Sequence, residues 1–268
     1  MKNMFKVTYL QAFDDIVNPS EVGRYVFVPG SKSRVRMLAE SWQDGRMISE
    51  SKEFLLYSGV IDEVRVSACS TGIGGVSVVT AVQQLIELGA DTFIRVGVTG
   101  SLQSDVEVGD LTIASAAVRS DRVADDFLDR SIPAVATPEV TLALRLACQD
   151  HDYRFHTGVG ATTGTFYCGE GRPGYAGYFQ DWMASIVPNL RQAGVMDWDT
   201  ETATLFSLCL ASGVRCGRIN GVVDKVGGSA ADPAAEGRAV RASISAIQRL
   251  AAWDQSEEDI RLLGLEPS

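Results

Sequence analysis

Two arginines occupy positions that suit the binding of an anion. Arg34 follows the turn Pro29-Gly30-Ser31, which joins a strand-like run to a helical pattern, and Arg95 interrupts the apolar run "FIRVGVTGS". Free amides at a helix start and a guanidinium beside them are a common anion site, although a tight strand-to-helix turn with a solvated arginine would give the same pattern. An unpaired buried charge is costly, so Arg95 requires either a structural carboxylate or a bound anion. Because the chain carries a net charge of −10, we favour an anion, with Lys52 in "SKEF" as a further cation.

Three carboxylates alternate in "GVMDWDTETATLF", just before a strongly apolar helical pattern. Asp197, Asp199 and Glu201 could bind a metal ion, but the segment lacks the glycine turn and the distal glutamate of a calcium loop. Acidic residues are also common at helix N-termini for electrostatic reasons alone. Glu201 is the most informative of the three, since a carboxylate at a helix start can accept hydrogen bonds from the vicinal hydroxyls of a ribose.

The sequence gives little support for other common catalytic or metal-binding motifs. The two histidines, His151 and His156, lie in polar or alternating segments that indicate structural roles, and no G-x-S-x-G elbow is present. The 5 cysteines include no C-x-x-C pair, which argues against structural zinc and a disulfide framework. The sequence therefore does not favour a hydrolase with a protein nucleophile.

The charge balance also limits the partners. The chain has 24 lysines and arginines against 34 aspartates and glutamates, so its surface repels nucleic acid and anionic membranes. Its apolar runs are too short to span a bilayer, and its start shows no signal-peptide pattern. We therefore expect a cytoplasmic protein that binds neither nucleic acid nor membrane.

The 268 residues alternate between strand-like and helix-like segments, which predicts one three-layer α/β/α domain over residues 1–268 with a polar tail from about 254. Two loops are expected at 119–136 and 162–177, and the second has the glycine content of a binding lid. The predicted strands are 25–28, 64–70, 92–97, 111–118, 155–161 and 216–223. The predicted helices are 76–88, 139–148, 201–211 and 236–253, with a further helix after residue 31.

Several motifs together resemble one known family. The stretch "ACSTGIGGVSVVTAVQQLIELGADTFIRVGVTGSLQ" resembles the signature of the nucleoside phosphorylase-I family. The segments "ATTGTFYCGEGR" and "GVMDWDTETATLF" are similar to its uridine phosphorylase branch. The resemblance runs from about Phe5 to Leu250. It implies a mixed central sheet, reversible phosphorolysis of a ribonucleoside, most simply uridine, and phosphate as co-substrate with no required cofactor. It also implies self-association into dimers and, commonly, hexamers.

The resemblance assigns roles to individual residues. Those implied for phosphate are Gly30, Arg34, Lys52, Arg95 and Thr99; those for ribose are Tyr9, Thr200 and Glu201; those for the base are Gly100, Phe166, Glu170 and Arg172. Lys52 and Tyr9 would enter the site of a neighbouring subunit, where the family has an arginine and a histidine. Glu53 and Ser77 match positions that can hold a monovalent cation between subunits.

The base pocket departs from the family pattern. Glu170 replaces a glutamine that pairs with uracil, and an ionised glutamate only accepts hydrogen bonds. Asp224 lies near the place where purine-specific relatives have a proton-donating aspartate. A purine nucleoside phosphorylase therefore stays open as an alternative. So does a catalytically impaired nucleoside-binding protein, since Val98 also replaces a hydroxyl-bearing residue.

Overall fold

The structure is a computed structural model that describes residues 12–13, 17–226 and 232–256. Within these residues the strands are β1 Tyr25–Phe27, β2 Gln43–Ser51, β3 Phe54–Ile61, β4 Val64–Cys69, β5 Thr92–Ser101, β6 Leu111–Arg119, β7 Ala134–Val135, β8 Phe155–Thr162, β9 Asp197–Asp199 and β10 Arg215–Lys225. The α-helices are α1 Lys32–Ala39, α2 Gly75–Glu87, α3 Pro138–Asp150, α4 Ile186–Gln192, α5 Thr202–Ser212 and α6 Ala234–Gln255.

These strands form one mixed sheet that branches at β5. Strand β5 pairs in parallel with β1 and β10 and antiparallel with β9. From β10 the pairing continues through β6 and β8 back to β9. The strands β5, β10, β6, β8 and β9 therefore form a closed ring, while β1, β4, β3 and β2 extend from it as an open arm. The mixed sheet that the resemblance implies is confirmed.

Side chains of the sheet alternate between two apolar layers, as the two-residue period of a strand requires. Tyr25 and Phe27 pack in the cluster that contains α1, α3 and α6. Val26 and Val28 pack in the opposite cluster, which contains α2 and α5. The prediction of a three-layer α/β/α arrangement is therefore confirmed.

The predicted elements are present with boundaries that differ by a few residues, and helix α3 begins after Thr137 with Pro138 in its first turn, as expected. The hairpin of β2 and β3, helix α4 and the short strand β9 were not predicted. Strand β2 escapes prediction because its sequence QDGRMISES is polar and largely exposed. The two predicted loops contain only 3-10 turns and the short strand β7.

The end of the described chain is more tightly held than expected. Helix α6 reaches Gln255, and the Asp254 carboxylate accepts hydrogen bonds from Tyr25 Oη at 2.5 Å and Arg215 Nη1 at 2.8 Å. The predicted tail, from about 254, falls mostly on residues 257–268, which lie outside the described residues. None of the helices in the described ranges combines the length and the apolarity needed to cross a membrane.

Candidate active site

The candidate site lies where the parallel strands β1, β4 and β5 end. The turn after β1 and the turn after β4 are joined by backbone hydrogen bonds, from Thr71 N to Pro29 O at 2.9 Å and from Gly72 N to Gly30 O at 3.0 Å. These turns lead into helices α1 and α2. Carboxyl ends of parallel strands are the usual place for a ligand in an α/β sheet. A Cβ on Gly30 would lie 4.0 Å from Arg95 Nη2, so this turn faces the buried arginine.

Arg95 is buried on β5 beside two carboxylates. Its Nη2 atom donates a hydrogen bond to Glu201 Oε2, and its Nε lies 3.6 Å from Asp199 Oδ2. Arg95 Nε and Nη1 are buried and have no hydrogen-bond partner among the described residues. The structural carboxylates that we regarded as the less favoured partners are thus present. These two nitrogen atoms of Arg95 can therefore still donate to a further acceptor.

Arg34 lies in the first turn of α1, as predicted, and is also buried. Its Nε donates to Glu236 Oε1 at 2.6 Å and its Nη1 to Val96 O at 3.2 Å. Burial lowers the pKa of the Arg34 guanidinium, against the opposing effect of Glu236. Arg34 therefore has fewer unpaired donors than Arg95, although both face the same end of the sheet.

Glu201 lies at the start of helix α5, in the place expected from the sequence. Its Oε1 accepts hydrogen bonds from Gly74 N at 2.7 Å and Thr200 Oγ1 at 2.5 Å, while Oε2 accepts from Arg95. A carboxylate has about four acceptor positions. Three are used here, so Oε2 can accept one further hydrogen bond from a hydroxyl.

Inside the closed ring of strands, next to Arg95, lies a second buried arginine with its own carboxylate partner. Arg218, which is the register partner of Arg95 on β10, forms a two-point ion pair with Asp197 at 2.5 and 2.7 Å. Both side chains are completely buried. A Cβ on Gly160 would lie 2.4 Å from Arg218 Nη2, so only glycine leaves room for this pair.

Asp199 links this buried pair to the site. Its Oδ1 accepts from Thr162 Oγ1 at 2.9 Å and from the amides of Glu201 and Thr202 at 3.2 and 3.1 Å. Burial opposes its ionisation, but Arg218 and then Arg95 outweigh burial and hold the pKa of Asp199 below its usual range. Asp199 therefore caps helix α5 as an anion and fixes the position of Glu201.

A second group of residues extends from the predicted lid to β10. The guanidinium of Arg172 lies over the ring of Phe166, 4.5 Å from its centroid, and its Nη2 is 3.7 Å from Asp224 Oδ2. Phe166 is exposed, as a stacking surface must be. An aspartate can serve as a proton donor near neutral pH where burial disfavours its ionised form, but the Asp224 side chain is 44% exposed.

Glu170 lies in a 3-10 turn, Cys168–Glu170, of the same lid. It is 3% exposed, and its Oε2 is 3.4 Å from Arg172 Nε. Burial raises the pKa of Glu170 to about 7, with Arg172 opposing the shift and Asp224 and Asp199 adding to it. Burial and the two neighbouring carboxylates thus favour the carboxylic acid, which can donate a hydrogen bond as well as accept one.

The arginine–carboxylate cluster around Arg95 and the lid residues around Arg172 meet at the end of β5. Thr99 Oγ1 donates to Trp198 O at 2.6 Å. A Cβ on Gly100 would lie 3.3 Å from Trp198 Nε1 and 3.9 Å from the carboxyl carbon of Asp224. Thr99 and Gly100 therefore lie between the arginine–carboxylate cluster and the lid, in a position to contact the middle of a ligand that spans both.

The remaining predicted site residues lie at the edge of the candidate site or outside the residues that the structure describes. Lys52 is exposed in the turn between β2 and β3, and no contact joins it to Arg95 within this chain. Glu53 and Ser77 do come together, with Ser77 Oγ 3.0 Å from Glu53 Oε1. Tyr9 falls outside the described residues.

Sequence reasoning did not identify Arg218 as part of this arrangement, nor the amide of Gly74. Arg218 carries the same signal as Arg95, namely an arginine within a buried strand, in "RCGRINGVV". The histidines have partners away from the site, Ser245 for His151 and Asp110 for His156. Across the described ranges no group of three histidine, cysteine or acidic side chains is arranged to bind a metal.

The chain is similar to known proteins over most of its length. Residues 24–253 match the model of the phosphorylase superfamily. The chain is 40% identical to a uridine phosphorylase of Thermococcus kodakarensis, over 90% of this chain and 87% of that protein. It is 34% identical to a uridine phosphorylase of Haemophilus influenzae, over 83% of this chain and 91% of that one. A guanosine phosphorylase of Halorubrum lacusprofundi is 29% identical over 76% of this chain and 79% of its own length. The chain belongs to the phosphorylase superfamily.

Proposed function

We propose that this protein is a nucleoside phosphorylase that acts on uridine. Nucleoside and inorganic phosphate react reversibly to free base and ribose 1-phosphate. The observation that carries this proposal is the pair of unpartnered, buried N–H groups of Arg95 beside the Glu201 carboxylate. The N–H groups of Arg95 can hold an oxyanion, and the Glu201 carboxylate can hold a sugar hydroxyl a few ångströms away. The uridine phosphorylases to which the chain is similar support uridine as the substrate.

Phosphate is the nucleophile, so the chain needs no nucleophilic side chain. A phosphate oxygen forms a bond to C1′ of the ribose as the glycosidic bond breaks, and the departing base takes the electron pair of that bond. The protein acts by placing the phosphate and the sugar in line and by stabilising the charges that develop. The proposed phosphate ligands are Gly30, Arg34, Arg95 and Thr99 of one subunit and Lys52 of a neighbour.

The remaining substrate contacts follow from the same arrangement. Glu201 Oε2 accepts a ribose hydroxyl, with Thr200 beside it, and Tyr9 of a neighbouring subunit completes the ribose site. Phe166 stacks on the base, with Gly100 beside it. Arg172 stabilises the negative charge that the departing base acquires. Asp224 lies near enough to Arg172 to act in base recognition, and a role as general acid would apply to a purine.

The proposal also covers the domain organisation, the oligomeric state, a bound cation and the location of the protein. We propose one domain over residues 1–268, supported by the single sheet that strands β1 to β10 share. We propose a dimer as the smallest active unit and a hexamer as the assembly, because Lys52 is exposed and the resemblance gives it a role only in the site of a neighbouring subunit. We also propose a monovalent cation between adjoining subunits at Glu53 and Ser77. The hydrogen bond from Ser77 Oγ to Glu53 Oε1 brings two oxygen atoms together within each subunit, as a cation site requires. Free cysteines support a cytoplasmic location.

The test is base release from uridine with and without phosphate, scored together for uracil and ribose 1-phosphate. We expect turnover only with phosphate, and one ribose 1-phosphate for each uracil. Equal release of uracil without phosphate would identify a hydrolase instead. Binding of uridine without any product would identify a nucleoside-binding protein. Guanosine belongs in the same assay, because Glu170 and the similarity to a guanosine phosphorylase favour a purine as the second candidate substrate.

A further inference from the structure

Asp121 lies outside the candidate site and makes a contact that the phosphorolysis step itself does not use. It belongs to the loop after β6 and is partly buried, and its Oδ2 atom accepts a hydrogen bond from Thr204 Oγ1 in the first turn of helix α5. Thr204 is completely buried. The two residues are 83 positions apart in the chain. This hydrogen bond therefore ties the loop to the helix start that carries Glu201.

The start of helix α2 lies directly against the Asp121–Thr204 pair. A Cβ on Gly75, the first residue of α2, would lie 2.5 Å from Thr204 Oγ1 and 3.0 Å from Asp121 Oδ2. Glycine is the residue that allows a backbone to approach other atoms so closely. The preceding residue, Gly74, has no side chain with which to cap the helix. The start of α2 is therefore positioned by its contacts with neighbouring elements rather than by a cap of its own.

The same stretch of backbone holds the Glu201 carboxylate. Gly74 N donates a hydrogen bond to Glu201 Oε1 at 2.7 Å. Thr204 follows Glu201, the N-cap residue of α5, by three positions, a spacing that places two side chains on the same side of a helix start. Adjacent residues of α2 thus contact α5 at two points. One contact alone would let the start of α2 pivot, whereas two contacts fix the direction in which Gly74 N points.

Asp121 is itself held in place by the residues around it. Ser120 N donates to Thr162 O of β8 at 2.9 Å. Arg119 Nη2 donates to Ala124 O at 3.0 Å, which closes the loop around Asp121. The chain is therefore anchored on both sides of Asp121, and its carboxylate gives a fixed reference point for α2 and α5.

We propose that Asp121 is a positioning residue for Glu201, and that it acts through Thr204 and the start of α2. This inference rests on the proposed function, because it requires that Glu201 Oε2 binds a ribose hydroxyl. Without Asp121, the Thr204 side chain is released and the start of α2 is fixed only at Gly74. Glu201 then loses its fixed direction, and the sugar is no longer held in line with the phosphate.

The test compares uridine with 2′-deoxyuridine and 3′-deoxyuridine, each of which lacks one hydroxyl, by kcat/KM at saturating phosphate. The unaltered enzyme should favour uridine over at least one analogue, because that analogue cannot hydrogen-bond to Glu201. In Asp121→Ala, the value for uridine should fall about tenfold or more, as expected for the loss of one hydrogen bond to a charged group. The value for that analogue should change by less than about threefold, since it never had this hydrogen bond. A role in stability alone would lower all three values by the same factor.

Changes on α5 test the same hydrogen bond from its other side. Thr204→Val removes the hydroxyl, keeps nearly the same shape and should weaken the preference for uridine as Asp121→Ala does. Thr204→Ser keeps the hydroxyl and should retain the preference. The double variant Asp121→Ala/Thr204→Val should be no worse than either single variant, because both changes break one interaction. The matched control is Asp126→Ala, which removes an exposed aspartate of the same loop and should leave all three values unchanged.

The outcomes separate this inference from the proposed function. If Asp121→Ala or Thr204→Val keeps the full preference for uridine, or lowers all three values equally, Asp121 does not position Glu201, while the phosphorylase activity stands. Loss of the preference in Thr204→Ser would also overturn the inference. If the unaltered enzyme favours uridine over neither analogue, the inference fails together with the ribose contact of Glu201. Absence of turnover with every nucleoside contradicts both proposals. Thr204→Val keeps the test decisive even if Asp121→Ala does not fold.

Discussion

Arg95 and Arg34 should contribute unequally to phosphate use, and the difference can be derived from their contacts. Both guanidinium groups are buried. Two nitrogen atoms of Arg95, Nε and Nη1, make no hydrogen bond to any residue that the structure describes. Arg34 commits its Nε to Glu236 and its Nη1 to Val96 O, which leaves Nη2. Arg95 can therefore donate to phosphate through two nitrogen atoms and Arg34 through one.

The magnitude follows from the number of free donors. A hydrogen bond to a charged group contributes about 1.5–3 kcal/mol. Arg95→Met removes two such bonds, or roughly 3–6 kcal/mol, which lowers kcat/KM for phosphate by about 150-fold or more. Arg34→Met removes one, which corresponds to about 10- to 150-fold. Methionine keeps the apolar stem of the side chain, so the cavity left at either position is small.

The assay varies phosphate at saturating uridine and follows uracil release by absorbance, with Arg24→Met as the matched control for loss of an exposed arginine. Thermal unfolding of each variant shows whether the fold is retained. The reasoning is refuted if Arg34→Met impairs phosphate use more than Arg95→Met does. It is equally refuted if a folded Arg95→Met variant uses phosphate within about threefold of the unaltered enzyme, since one lost charged hydrogen bond already exceeds that effect.

Two further predictions concern the buried pair and the assembly. Asp197→Asn removes the two-point ion pair of the fully buried Arg218 and leaves it only the weaker charge interaction with Asp199, so we expect the free energy of unfolding in urea to fall by about 3–5 kcal/mol. Asp91→Asn, which breaks an exposed pair with Arg24, should cost about 0–1 kcal/mol, and equal losses in the two variants would contradict this account. Lys52→Ala and Arg95→Ala subunits, inactive alone, should regain about a quarter of the sites when mixed and reassembled, because a mixed dimer contains one site with both residues. No recovery in a preparation that contains mixed dimers would show that Lys52 does not enter a neighbouring site.

The boundary between sequence and structure is clearest at Arg95. An arginine within an apolar strand is visible in the sequence, and the need for a partner follows from the cost of burying a charge. Which partner it has is not visible, because Glu201 is 106 positions away in the chain. Only the antiparallel pairing of β5 with β9 brings the two side chains together.

Local signals were sufficient for features that depend on neighbouring residues. The period of the apolar residues predicted six of the ten strands in the described residues and most of the α-helices. The Pro29-Gly30-Ser31 turn predicted a helix with Arg34 in its first turn, and the carboxylate before α5 predicted a helix start. Each of these depends on hydrogen bonds and side-chain contacts within a few positions. The polar strand β2 lacked such a signal, since its pairing with β3 rather than burial makes it a strand.

The chemical state of Glu170 depended on tertiary structure alone. In the sequence it is one acidic residue in a glycine-rich segment, with the hydrogen-bonding pattern of an ordinary carboxylate. In the fold, the lid buries it, Arg172 approaches it at 3.4 Å, and two carboxylates from β9 and β10 act on it. Desolvation and charge–charge interactions depend on distance in space and not along the chain. The amino-acid sequence therefore determined that a carboxyl group stands at this position, and the tertiary structure decided how far its pKa departs from that of an exposed carboxyl group.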